Sequence, residues 1–105
     1  MDIEIRTDSN IDGDADMVDK AKNEVEKSLG RFDAHVTSIH IHFSDASAGK
    51  EGLEDIQCMI EARMEGRKPE AVTEKASTTD NALSSAIGKM RRLLDSEIGK
   101  MRDAR

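Results

Sequence analysis

Ile3 and Ile5 alternate with charged neighbours at the start of the chain, in MDIEIRT. Side chains alternate across a strand, so this spacing predicts a short first strand with one apolar face. The following SNIDGDAD is rich in Asp, Asn and Gly and predicts a turn. From 14 to 30 the period changes. Val18, Ala21, Val25 and Leu29 recur at three- and four-residue spacing, which places one buried stripe on a helix. The acids at its entry suit the positive end of the helix dipole. Gly30 is placed to end it, with Phe32 packing just beyond.

A period of two returns in VTSIHIHFSD, residues 36–45. Ile39, Ile41 and Phe43 share one parity and face a core; Ser38, His40, His42 and Ser44 share the other and face away. SDASAGKEG reads as a polar loop. LEDIQCMIEARM alternates again, with Ile56, Cys58, Ile60 and Ala62 inward and Asp55, Gln57, Met59, Glu61 and Arg63 outward. EGRKP makes a turn, and AVTEKAST is a weaker fourth strand with Val72 and Ala76 inward. Glu74 shares their parity, a conflict that a place at the sheet rim would relieve. Thr78, Thr79 or Asp80 can cap a last helix whose stripe is Leu83, Ile87, Met90, Leu94, Ile98 and Met101.

The order β-α-β-β-β-α predicts an α+β fold: a four-stranded sheet with two helices packed on one face and the other face open. A right-handed crossover through the first helix would join parallel strands one and two. Strands two to four would form an antiparallel meander.

The 105 residues suit a single domain over 1–105. No apolar run approaches the roughly 20 residues that span a bilayer, and MDIEIRTDS lacks the basic start and apolar stretch of a secretory signal. A lone cysteine makes no internal disulfide. The expectation is a cytoplasmic protein without membrane contact. The net charge of −6 argues against coating nucleic acid by bulk electrostatics. Its distribution is uneven. Residues 1–33 carry ten acids and five bases, residues 34–77 eight and five, and residues 78–105 four and six, so the last segment alone is net positive.

Candidate chemistry is sparse. His40 and His42 point the same way from one strand, but zinc needs three or four ligands. Cys58 has the parity of a buried face, and His35 that of Ile39. Solvated strand histidines are the better reading. Asp8, Asn10, Asp12 and Gly13 echo the start of a calcium loop, but Val18 and Asp19 stand where its closing Glu belongs. No nucleophile motif or phosphate-cradling glycine loop is present. No catalytic residue, metal, cofactor or small-molecule substrate is expected, and the six methionines follow core faces.

KMRR, residues 89–92, puts three cations within one helical turn. At about 100° per residue, Lys89, Arg92 and Lys100 fall on one flank of the stripe and Arg91 and Arg102 on the other. A solvated helix face is the plain reading. With Phe32 and Phe43 inward, no aromatic platform is left for stacking bases. Contact with the phosphates and shape of structured RNA needs none.

With HVTSIHIHFSD as strand two and ALSSAIGKMRRLL in the last helix, the chain resembles the ribosome hibernation-promoting factors and ribosome-associated inhibitor A proteins. IEIRTDSNIDG, CMIEARMEGRKPEAVT and IGKMRD resemble segments of a short subgroup of that family. The resemblance runs over nearly the whole chain and rests on several moderate matches in order. It implies a small bacterial protein of dsRNA-binding-like topology that docks on the small ribosomal subunit, in the channel used by mRNA and tRNA. It implies that translation is blocked in stress or stationary phase by occupancy, with basic side chains on ribosomal RNA phosphates. KMRRLL matches the family's K-L-x-R-Q-L, which carries over Lys89 and Arg92. Arg91 and Lys100 are their neighbours; Arg63, Arg67 and Lys68 near the strand-three turn are further candidates. Asp95, Ser96 and Glu97 stand where family members often have lysines, and Asp80 where a tyrosine is common. The alternative expectation is a divergent member that has lost ribosome binding and serves as a protein-interaction or stress-regulatory module. The sequence sets no oligomeric state.

Overall fold

The structure, a computed structural model, describes residues 1–8, 11, 13–45 and 56–103. Its elements follow the expected order: β1 (Asp2–Thr7), α1 (Ala15–Leu29), a 3-10 turn (Gly30–Phe32), β2 (Val36–Asp45), β3 (Ile56–Met64), β4 (Glu70–Ala76) and α2 (Thr79–Asp103). The sheet runs β1-β2-β3-β4. β1 pairs with β2 in parallel, which needs a crossover, and α1 supplies it. The other two pairings are antiparallel. Most of the loop read at 44–52, and Asn10, Asp12 and Asp55, lie outside the described residues.

Both helices pack on one face, α1 on β1 and α2 on β3 and β4, and they touch each other. Between helices and sheet, Ile39, Ile41, Phe43, Cys58, Ile60, Leu29, Val25, Met90 and Leu94 are fully buried. Each large apolar side chain removed from water contributes about 1.5–3 kcal/mol. The α2 stripe is broader than Leu83, Ile87, Met90, Leu94 and Ile98, because Ala82 and Ala86 are buried as well. Small alanines let the helix lie close to the sheet.

Local chemistry explains the boundaries. Asp14 caps α1 by accepting from the Met17 N–H at 2.9 Å. Thr78 caps α2, its hydroxyl accepting from the Asn81 N–H at 3.1 Å. Gly13 crosses so close to β1 that a Cβ there would come within 2.7 Å of the Thr7 hydroxyl oxygen. Gly66, in the β3–β4 turn, has φ +76°, a conformation glycine adopts without strain.

Three details differ from the sequence pattern. Val18 is half-buried, and Met17 packs against the core in its stead. Gly30 keeps right-handed helical angles (φ −60°, ψ −26°). The α-helix ends at Leu29 as expected, but the chain then tightens into the 3-10 turn, which carries Phe32 into the core. Finally, a bulge at Thr37 shifts the β2–β3 register: Val36 pairs with Met64, but Ser38 pairs with Arg63. The Thr37 hydroxyl donates to the Arg63 carbonyl at 3.2 Å. The extra residue flips parity, so Val36 is buried alongside the odd-numbered Ile39, Ile41 and Phe43. Parity counted back across Thr37 therefore cannot place His35, which lies in the turn before β2.

Candidate nucleic-acid interface

Six of the seven basic side chains singled out in the sequence lie on α2 or on the turn beside it. Lys89, Arg91, Arg92 and Lys100 project from α2 and are exposed. The turn between β3 and β4 brings Arg67 to the same helix, where its Nη2 donates to Glu97 Oε2 at 2.9 Å. Lys68 is exposed beside it. The seventh, Arg63, points from the opposite face of the sheet.

Acids meet several of these cations. Lys89 Nζ lies 3.7 Å from Glu74 Oε1, which resolves the parity conflict of Glu74 with a cation from α2. Glu97 is shared, Oε2 taking Arg67 and Oε1 taking Lys100 Nζ at 3.3 Å. Its side chain is only 19% exposed. Arg91, Arg92 and Lys68 have no ion partner among the described residues. Arg92 folds back along its helix, its Nη1 3.6 Å from where a Cβ on Gly88 would stand.

The structure adds a residue that periodicity did not select. Arg31, in the 3-10 turn, reaches α2 and donates from Nη2 to Asp95 Oδ2 at 2.9 Å. Its guanidinium lies 4.2 Å from the centre of the Phe32 ring. The signal available in the sequence was a cation joined to an aromatic just past the helix end, together with an acid in the basic helix.

The open face of the sheet is a different surface. Glu4, Arg6, His40, His42, Met59, Glu61 and Arg63 line a shallow depression there. His40 Nδ1 lies 3.5 Å from Glu4 Oε2, and His42 Nε2 lies 2.8 Å from Asp8 Oδ1. Each histidine thus faces one carboxylate, and among the described residues no three His, Cys, Asp or Glu side chains gather as metal ligands. Cys58 is fully buried, and burial pushes its thiol up to about 12, which keeps it neutral and unreactive. Among the described residues no helix is long and apolar enough to cross a membrane.

The pattern of the sigma 54 modulation protein / S30EA ribosomal protein family matches residues 7–102. The chain belongs to that family. Solved structures share the fold, two of them from Thermus thermophilus and Coxiella burnetii. The Protein Y N-terminal domain of Thermus thermophilus superposes with a TM-score of 0.71 at 15% identity, over 90% of this chain and 96% of that one. A ribosomal subunit interface protein from Coxiella burnetii superposes with a TM-score of 0.71 at 15% identity, over 94% of this chain and 99% of that one. A search of curated protein sequences returned no match. At such low identity the superpositions carry the fold, while the family match carries membership. The family's span covers α1 to β4 whole, α2 up to residue 102, and only Thr7 of β1.

Proposed function

We propose that this S30EA-family chain is a ribosome-associated translation inhibitor of the hibernation class. It binds the small ribosomal subunit through α2 and the β3–β4 turn, under stress or in stationary phase. The observation that carries the reading is that Lys89, Arg91, Arg92 and Lys100 lie on α2, with Arg67 brought to the same helix from the β3–β4 turn that also carries Lys68, within the family fold. The similar Coxiella burnetii structure, described as a ribosomal subunit interface protein, supports a ribosomal partner. The mechanism is occupancy. Cations hold ribosomal RNA phosphates while the folded domain fills space that translation ligands need. No bond is made or broken, so no catalytic group, metal or cofactor enters, and the work is done in the cytoplasm.

One observation favours a second reading, a family fold that has given up the ribosome for a protein partner. Lys89, Lys100, Arg67 and Arg63 all face carboxylates of their own chain, which lowers the charge available to phosphate. Sucrose-gradient co-sedimentation with small subunits and whole ribosomes separates the two. Migration with the small subunit, lost as salt rises, is expected for phosphate contacts. A folded protein that stays at the top of the gradient at both salt concentrations supports the second reading.

A further inference from the structure

Two carboxylates, Asp95 and Glu97, stand inside the segment that meets phosphate on the reading above. A bare negative charge there would repel the ligand. Neither is bare. Asp95 holds Arg31 and Glu97 holds Arg67, each at 2.9 Å, and the two arginines come from positions 64 and 30 residues away in the chain. Two residues along a helix is about 200° of rotation, so the acids sit on opposite flanks of α2. Arg31 arrives from the α1 side and Arg67 from the β3–β4 side. Arg92 lies on the solvent arc between them.

Both arginines are fixed from below as well. Arg31 stacks on Phe32, and Phe32 is anchored in the core at 4% exposure. Arg67 follows Gly66, and its backbone N–H donates to the Met64 carbonyl at 3.2 Å. Each carboxylate contact engages one terminal nitrogen of a guanidinium that carries five N–H donors. The remaining N–H groups stay available to a planar anion such as phosphate. An arginine already pinned has lost its rotamer freedom on folding, so it loses less on binding.

We infer that Asp95 and Glu97 are positioning residues: they hold Arg31 and Arg67 as two fixed prongs on either side of α2, with Arg92 between, for phosphates of ribosomal RNA. This rests on the reading that α2 meets RNA. It also reverses the sign that simple electrostatics gives. Removing an acid from a phosphate-binding surface should tighten binding and steepen its salt dependence. Removing a positioning acid loosens it.

The test is the affinity of purified small subunits for the wild type, E97Q, D95N, R67A, R31A and the doubles E97Q/R67A and D95N/R31A, across a salt series. Each single substitution is expected to weaken binding about 3- to 10-fold, with each double no weaker than its arginine single, as coupled groups behave. E97Q and D95N binding as tightly as wild type or tighter overturns the inference, as does an additive cycle. Glu97 is largely shielded, so its variants are paired with a thermal melt. Asp95, whose side chain is 52% exposed, repeats the test where packing is not at stake. R92E marks the other branch. A wild type that binds, with R92E lost and E97Q and D95N unchanged, leaves the ribosomal reading standing and removes the prongs. A wild type that does not bind removes both.

Discussion

The arginines on the two surfaces of this domain pair in different ways. On the open face, Arg6 donates to Glu4 and Arg63 to Glu61, each two residues away on its own strand. Such pairs need only the period of a strand, and they lie flat on a solvated sheet. Around α2, Lys100 pairs locally with Glu97, but the arginines reach elements far apart, Arg31 to Asp95 and Arg67 to Glu97, and Lys89 meets Glu74 of β4. Exposed ion pairs of either kind are worth little, about 0–1 kcal/mol each. The difference is therefore not one of stability. Local pairs cancel charge where it lies. Distant pairs move charge, collecting cations from two other parts of the chain onto one helix. That is why the acidic whole-chain balance does not decide the character of α2.

The strongest way to break this comparison is to remove the sheet that separates the two surfaces. Ile41 is 1% exposed at the centre of β2, between β1 and β3. Ile41→Asp buries an unpaired carboxylate and is expected to destabilise the fold by roughly 4 kcal/mol or more. A melt like that of the wild type would mean that the buried and open faces have been assigned the wrong way round.

A smaller effect sharpens it. Lys89→Glu with Arg92→Glu leaves the apolar stripe intact and is expected to melt within about 1 kcal/mol of wild type. It also reverses two of the charges offered to phosphate, and binding to small subunits is expected to fall at least about tenfold at moderate salt. The matched change on the open face, Arg6→Ala with Arg63→Ala, is expected to leave affinity within about twofold, since charges behind the sheet are largely screened. Equal losses from both doubles would mean that the two surfaces act as one.

Much of this was legible in the chain. The switch of period from two to 3.6 and back marked every strand and both helices, because burial on one face demands it. The outward placement of His40 and His42 followed from the parity of Ile39, Ile41 and Phe43. The bulge at Thr37 was not legible, since nothing in VTS distinguishes it from ordinary strand. Gly30 was legible as the end of α1, but not its right-handed cap angles, which lead into the 3-10 turn that buries Phe32. At the site, the cations of α2 could be read from KMRR, whereas Arg31 was marked only by its place beside Phe32 past the end of α1. Its role exists only through a contact with a residue 64 positions away, and no local pattern encodes that distance.

The smallest effect concerns the core both surfaces share. Cys58 sits on β3 with no exposure, opposite Phe43 on one side and Glu74 on the other. Burial raises its thiol to about 12 in the folded chain, whereas the unfolded chain ionises it near the ordinary value for cysteine. Below that ordinary value both states hold the proton, and pH has no effect through this group. Above it the unfolded state loses the proton first. Stability therefore falls as pH rises, until the folded thiol also ionises near 12. The linkage amounts to about 1–2 kcal/mol between pH 8 and pH 10. Cys58→Ala starts less stable, because it removes a buried sulfur, but it lacks the titration. The gap in melting stability between wild type and Cys58→Ala is therefore expected to narrow by about that amount over the same range. A gap that stays constant would mean that the thiol reaches solvent, and that the sheet beneath α2 is looser than its packing indicates.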